Sequence, residues 1–209
     1  VTVSPAALTF TSANWSIAQT VTLTGANDDL VDGSQTSTVT LSVDDGSSDD
    51  DFDGIADQTV SVTTTDSDVA GFTVIESGGT TTVAEDGTTT DDFTVVLDAQ
   101  PISDVVISVT SLDTGEVTVS PATLTFTSGN WDSSQTVTVT GVDDSLIDGS
   151  QTSTVTIAVV DESSNDSFDS LADQTVSVST ADDDTAGFTI TQTDGSSSVT
   201  EGGSTDLFT

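Results

Sequence analysis

The sequence has no lysine, arginine or histidine among its 209 residues, against 36 aspartates and glutamates, so its formal charge is −36 with nothing to offset it. A chain without cations has no footprint for a nucleic-acid backbone and no polybasic contact for an anionic membrane surface. Cysteine, methionine and tyrosine are also absent. Ser-His-Asp, Cys-His and lysine-based catalysis are therefore excluded, as are zinc and copper sites built from histidine or cysteine. Without disulfides, stability has to come from a packed core or from bound ions. No apolar run approaches the roughly 20 residues that cross a bilayer, so no membrane insertion is expected. The sequence begins without methionine and without a signal peptide, which reads as a mature or excised piece.

What is present is carboxylate, hydroxyl, amide and backbone, an inventory suited to hard cations. Threonine and serine fill 73 of the 209 positions. Hydrophobic residues make up only 33 %. Their regular spacing nevertheless argues for folded structure over disorder, and the Thr/Val richness points to β-strands.

An internal repeat dominates. Val1–Trp15 reads VTVSPAALTFTSANW and Val117–Trp131 reads VTVSPATLTFTSGNW, an offset of 116 residues. Residues 1–87 align with 117–203 without a gap and are identical at 55 positions. A 116-residue period is too long for a solenoid coil and fits one complete β-sandwich domain. The expected organisation is an incomplete repeat at 1–68 lacking its first strands, a complete one at 69–184, and the opening strands of a third at 185–209. The whole reads as a window on a longer repetitive protein.

In the middle repeat, strand signals fall near 71–76, 81–85, 93–97, 104–112, 122–127, 135–141, 151–160 and 174–180. In Gln135–Gly141, Val137 and Val139 alternate with threonines, the pattern of an antiparallel strand with one buried and one wet face. Helical periodicity is absent, apart from a short turn near Phe168–Ala172. The expected core is Phe72, Val83, Phe93, Ile107, Leu124, Phe126, Trp131, Val137, Val139, Val155, Ile157, Phe168, Leu171 and Val176. Trp131 reads as a packing residue rather than a ligand platform. The alternating threonines read as a solvated strand face rather than an ice-binding array.

The acids cluster at strand ends and turns: Glu85, Asp113, Asp143-Asp144, Asp148 and Asp182-Asp183-Asp184. Aspartate is a favoured turn residue, so any one of them is first a turn-former. Collected at one end of a sandwich, however, they would repel. Two like charges about 4 Å apart cost about 1 kcal/mol in water and several-fold more at a protein surface. No basic side chain relieves them. They must stay apart and solvated, take up protons, or enclose a divalent cation.

The order of signals resembles a Calx-beta domain. It runs from Gly71-Phe72 through Val83-x-Glu85-x-Gly87 and the Leu124-x-Phe126 strand to Asp143-Asp144-x-x-x-Asp148, and closes on Asp182-Asp183-Asp184. The resemblance implies an all-β fold of tandem immunoglobulin-like antiparallel sandwiches, with Ca²⁺ at one end of each. It assigns Glu85, Asp143, Asp144, Asp148, Asp182, Asp183 and Asp184 as ligands, with Asp113 a weaker match. Two departures matter. Asp148 stands where the family usually has glutamate. The first repeat has Asn27 and Ser67 at acidic positions, leaving Asp28, Asp32, Asp66 and Asp68, so its site should bind more weakly.

Such repeats occur in long bacterial surface and extracellular proteins. The resemblance thus implies a structural segment of an extracellular fibre or surface stalk, stiffened by Ca²⁺ and arranged head to tail with neighbouring copies of itself. Open strand edges offer one route to that joining. Glycans on Ser/Thr, or on the acceptor patterns at Asn14 and Asn165, are further expected partners. The absence of Lys and Arg removes every trypsin site. The alternative is a calcium-dependent adhesin segment that binds a glycan or a protein. An enzyme using paired carboxylates is not expected, because these acids lack the polar neighbours such a pair needs.

Overall fold

The computed structural model describes residues 1–193 and 195–209. Thirteen strands follow in chain order: β1 (Thr2–Ser4), β2 (Thr22–Thr24), β3 (Gln35–Leu41), β4 (Gln58–Thr64), β5 (Phe72–Glu76), β6 (Thr81–Ala84), β7 (Thr90–Leu97), β8 (Val105–Ser111), β9 (Val117–Ser120), β10 (Thr123–Phe126), β11 (Gln135–Gly141), β12 (Gln151–Val159) and β13 (Gln174–Ala181). Among the described residues no α-helix forms, and short 3-10 turns link some of the strands.

β5 to β13 build a β-sandwich of immunoglobulin-like type. One sheet has the order β10-β8-β12-β13-β6 and the other β5-β7-β11-β9. All pairings are antiparallel except β13 with β6, which run parallel from Val178↔Thr81 to Ala181↔Ala84. The alternation in the sequence becomes the alternation of burial. Val137 and Val139 of β11 point into the core, while Thr136 is exposed and Thr138 and Thr140 are half-buried. In the register of the smaller sheet Val137 lies opposite Phe93 of β7. Phe93, Phe126, Ile107, Ile157 and Phe168 are fully enclosed. Burying side chains of this kind contributes about 1.5–3 kcal/mol each.

The strands expected in the middle repeat are all present, and one more joins them. β9 is a four-residue edge strand on β11 that ends before Pro121. So short an alternation, cut by a proline, gives little signal in the sequence. Trp131 and Leu171 pack against the core but are only partly buried, at its margin rather than its centre. Val95, Leu97, Val105, Val109, Val117 and Val178 also belong to the core. A turn at 166–170 carries Phe168 inward, where the sequence suggested one.

The first repeat carries the same strands by sequence. β1, β3 and β4 match β9, β12 and β13 at the 116-residue offset, and β2 matches the end of β11. Yet no residue before Phe72 is buried. Phe10 is 54 % exposed whereas its counterpart Phe126 is wholly enclosed. The difference is one of partners. Among the described residues β1 pairs only with β2, and β3 only with β4. The first repeat touches the middle one at Gln100. Leu30 forms a parallel bridge with Gln100, the Val31 amide donates to the Gln100 carbonyl at 2.9 Å, and Val31 packs on the core cluster.

The parallel β6 fits because one position has no side chain. A β-carbon at Gly141 would collide with the carbonyl of Ala84 in β6. At the equivalent Gly25 it would meet only the Thr64 methyl, at 3.2 Å. Gly141→Ala is expected to destabilise the sandwich by about 1–3 kcal/mol, as overpacking does, with Gly25→Ala close to neutral. Urea unfolding followed by fluorescence at Trp131 measures both. Equal effects would refute the contact.

Candidate cation site at one end of the sandwich

Three chain segments deliver carboxylates to one end of the sandwich. β6 runs beside β13, and the pairing continues one residue further, with the Glu85 amide donating to the Ala181 carbonyl at 2.9 Å. This places Glu85 against the loop that leaves β13. Asp144 stands three residues beyond the end of β11, and Asp184 three beyond the end of β13. One carboxylate oxygen from each of Glu85, Asp144 and Asp184 lies within 4.8 Å of the other two.

Glu85 is only 2 % exposed. Its Oε2, like Oδ2 of Asp184, is buried without a hydrogen-bond partner. Burial pushes the Glu85 carboxyl up to about 7, helped by a contact with Asp144 that only the protonated acid can make as a hydrogen bond, and by the charges of Asp144, Glu116 and Asp148. Asp184 is raised by burial and then by Asp182, Asp183, Asp144 and Asp143. A buried carboxylate with no donor facing it is costly. Here the chain itself has no cation to supply.

The remaining acids divide by what they touch. Asp182 is a fastener: its Oδ2 accepts from the Gly149 amide at 2.7 Å and its Oδ1 from the Asp184 amide at 2.8 Å. These amides hold it below the usual carboxylate range. Gly149 has φ 76°, which lets its N–H turn toward that carboxylate. Asp113 accepts from the Gly115 amide at 3.1 Å and stands back from the three. Asp143 lies beside Gly87, whose φ of 67° favours glycine there. Asp148 and Asp183 add charge at the margin of the site. One residue escaped sequence reasoning. Glu116 is raised by burial and by Asp148, Asp113, Asp144 and Asp182, and its Oε2 has no partner. The residues aligned with it lie outside the repeat overlap, so the internal comparison is silent there. Its only mark is an acid placed directly before the fully buried Val117.

The first repeat keeps the fastener. Asp66 accepts from the amides of Gly33 at 2.7 Å, Asp32 at 3.1 Å and Asp68 at 2.8 Å. Asp28 caps the Leu30 amide at 3.2 Å. Asp68 is raised by burial and by Asp66, Asp29, Asp28 and Asp32. These acids surround an open cavity of about 320 Å³ also lined by Gly25 and Thr64, with no counterpart of Glu85 in it.

The middle site fits a hard divalent cation. Its donors are all oxygen, two of them buried without partners, and Ca²⁺ takes six to eight such ligands. Glu85, Asp144 and Asp184 would hold the ion, with Asp143, Asp148, Asp183 and Glu116 adding charge around it.

No protein-family profile matches the sequence, and no curated protein matches it. Solved structures resemble it in fold. Domains 1–6 of the surface layer protein SbsC match with 21 % identity and a TM-score of 0.40, over 75 % of this chain and 18 % of that one. Domains 4 and 5 of the same S-layer protein match with 22 % identity and a TM-score of 0.40, over 70 % of this chain and 58 % of that one. The apo form of the Calx CBD1 domain matches with 15 % identity and a TM-score of 0.35, over 54 % of this chain and 98 % of that one.

Proposed function

We propose that this chain is a structural segment of an extracellular or cell-surface array, in which Ca²⁺ fastens each β-sandwich at its acidic end. The observation that carries the reading is Glu85, buried and unpartnered against Asp144 and Asp184 in a chain with no basic residue. Near-identical units in series suit a scaffold. The Leu30–Gln100 bridge supports a defined joint between successive units. No catalytic role is assigned to these acids. Neighbouring copies are the proposed partners. Of the two glycan acceptor patterns, Asn14 is the one whose residue is partly open to solvent. The Asn165 side chain is buried and engaged with Ser103 and the Ser167 amide.

The ion would act at both ends of the sandwich sequence at once. Glu85 follows the second strand of the unit and Asp184 follows the last. A cation held by both ties the start of the domain to its finish. In the first repeat the weaker acid set leaves the equivalent loop to Asp66 alone.

Proton linkage gives the sign of the pH dependence. The folded Glu85 carboxyl titrates near 7, well above its ordinary 4.5. The folded state therefore binds more protons than the unfolded state between those values, and stability falls as pH rises through that window. In chelator, thermal unfolding is expected to shift downward from pH 4.5 to 7 and to level off above. Glu85→Gln should flatten the profile and raise the transition at pH 8 in chelator, because it removes an uncompensated buried charge. The same variant should lose the response to Ca²⁺. A site specific to the native state stabilises by about 2.7 kcal/mol at a hundredfold excess of ion over Kd. Millimolar Ca²⁺ is thus expected to raise the transition of the wild type several degrees beyond Mg²⁺ at matched ionic strength. Equal shifts for the two ions, or an unchanged Ca²⁺ response in Glu85→Gln, would overturn the site.

A further inference from the structure

We infer that Thr180 and Ser153 form the core-side floor of the cation site, where their hydroxyls hold water that the ion carries on the inner side of Glu85. The inference rests on the calcium reading above and adds two positioning residues to it.

Four hydroxyl side chains are buried on the inner face of the larger sheet: Thr81, Ser111, Ser153 and Thr180. Two of them are satisfied. The Thr81 hydroxyl donates to Glu76 Oε2 at 2.8 Å, and the Ser111 hydroxyl to the Asp113 carbonyl at 2.9 Å. Ser153 and Thr180 are 4 % and 1 % exposed, and neither Oγ of Ser153 nor Oγ1 of Thr180 has a partner. A hydroxyl buried without a partner is costly. The same two strands fill their other inner positions with Val155, Ile157, Val176 and Val178. Valine matches threonine in shape, so packing alone does not explain the hydroxyls.

The strand register puts them in line with Glu85. Thr180 lies opposite Val83 of β6, and Glu85 is the next inward residue beyond Val83. On the other side of β13, Ser153 lies opposite Val178, which makes Thr180 its diagonal neighbour. Glu85, Thr180 and Ser153 thus step diagonally from the end of β6 across β13 to β12. Diagonal neighbours have Cα atoms roughly 7–8 Å apart. That is too far for a direct hydrogen bond between short hydroxyl side chains. It suits one water, which spans about 5.5 Å between two partners.

The first repeat groups the same residues. Ser37 and Thr64, the counterparts of Ser153 and Thr180, line one cavity together with Asp28, Asp32, Asp66 and Asp68. Hydroxyls and acids border a common space there.

A hard cation links these observations. With one oxygen from each of Glu85, Asp144 and Asp184, an ion of six to eight ligands keeps roughly three to five places for water. A water enclosed by protein needs roughly two to four polar partners. Beneath Glu85, Thr180 Oγ1 and Ser153 Oγ are the oxygens free to serve.

Calorimetric titration of the full chain with Ca²⁺ and urea unfolding in chelator at pH 8 test this together. Thr180→Val and Ser153→Ala each remove one hydroxyl. Both are expected to match or exceed wild-type stability in chelator, because an unsatisfied group has gone. Both should bind Ca²⁺ at the tighter site about tenfold more weakly, the low end of what outer partners of a metal's ligands contribute. Thr180→Ser keeps the hydroxyl and should keep the affinity. Thr81→Val removes a satisfied hydroxyl from the same face and should do the reverse, lowering stability with affinity unchanged. The inference is overturned if Thr180→Val and Ser153→Ala bind Ca²⁺ as the wild type does. It is equally overturned if they lose stability in chelator and affinity together, as a merely structural contact would. A wild type that binds no Ca²⁺ overturns the calcium reading itself, and this inference with it.

Discussion

A carboxylate that leaves water in this protein has no basic side chain to meet, and that constraint sorts its acids. Some meet backbone amides and hydroxyls. Asp182 and Asp66 bind the Gly149 and Gly33 amides, Asp86 binds the Thr88 and Thr89 amides and the Thr89 hydroxyl, and Asp91 binds the Ser77 hydroxyl and the Thr82 amide. All four are held below the usual carboxylate range. These acids are satisfied and make the turns. Glu85, Glu116 and Asp184 have an oxygen that meets nothing, and all three are raised. These three gather at one end of the sandwich, whereas Asp169, also raised and with an unpartnered Oδ1, lies instead beside Asp161 and Asp166. An ion at the Glu85 end would meet the carboxylates that no amide reaches there.

Much of this was legible in the sequence, and the limits have physical causes. Period-two alternation placed β11, β12 and β13 because each has a buried face three positions long, two of them valine or isoleucine. β9 lacked that length. Trp131 reads from its size as a core or edge packing residue, and it packs against the core, partly buried, in the turn beyond β10. The run Asp182-Asp183-Asp184 was visible as a cluster. Nothing in three identical letters tells which carboxylate bends back to an amide and which faces the site. That division depends on the turn at Gly149, contributed by a different loop. The reading of single aspartates as turn-formers describes Asp182 well, while Glu85 was marked in the sequence by the Val83-x-Glu85-x-Gly87 resemblance, and its burial follows from β6 running parallel to β13.

The two repeats also show how far a local sequence depends on its partners. Phe10 and Phe126 sit in nearly identical segments, yet one faces solvent and the other is enclosed. Leu30 and Val31 are half-buried against the middle repeat, whereas their counterparts Leu146 and Ile147 are about 60 % exposed. The strand propensity of Thr and Val is the same in both places. What differs is whether β5 to β8, or a neighbouring unit, are there to close the sheet.

The parallel pairing of β6 and β13 has a mechanical consequence. Tension on the chain pulls β6 from its beginning and β13 from its end. In a parallel pair those two points lie at opposite ends of the ladder. The load then acts as shear along the strands, and the hydrogen bonds from Thr81 to Ala84 must yield together rather than one after another. The Glu85 amide bonded to Ala181 extends the same ladder. The carboxylates of Glu85 and Asp184 sit just past its end, where a bound ion would act as a clamp against sliding.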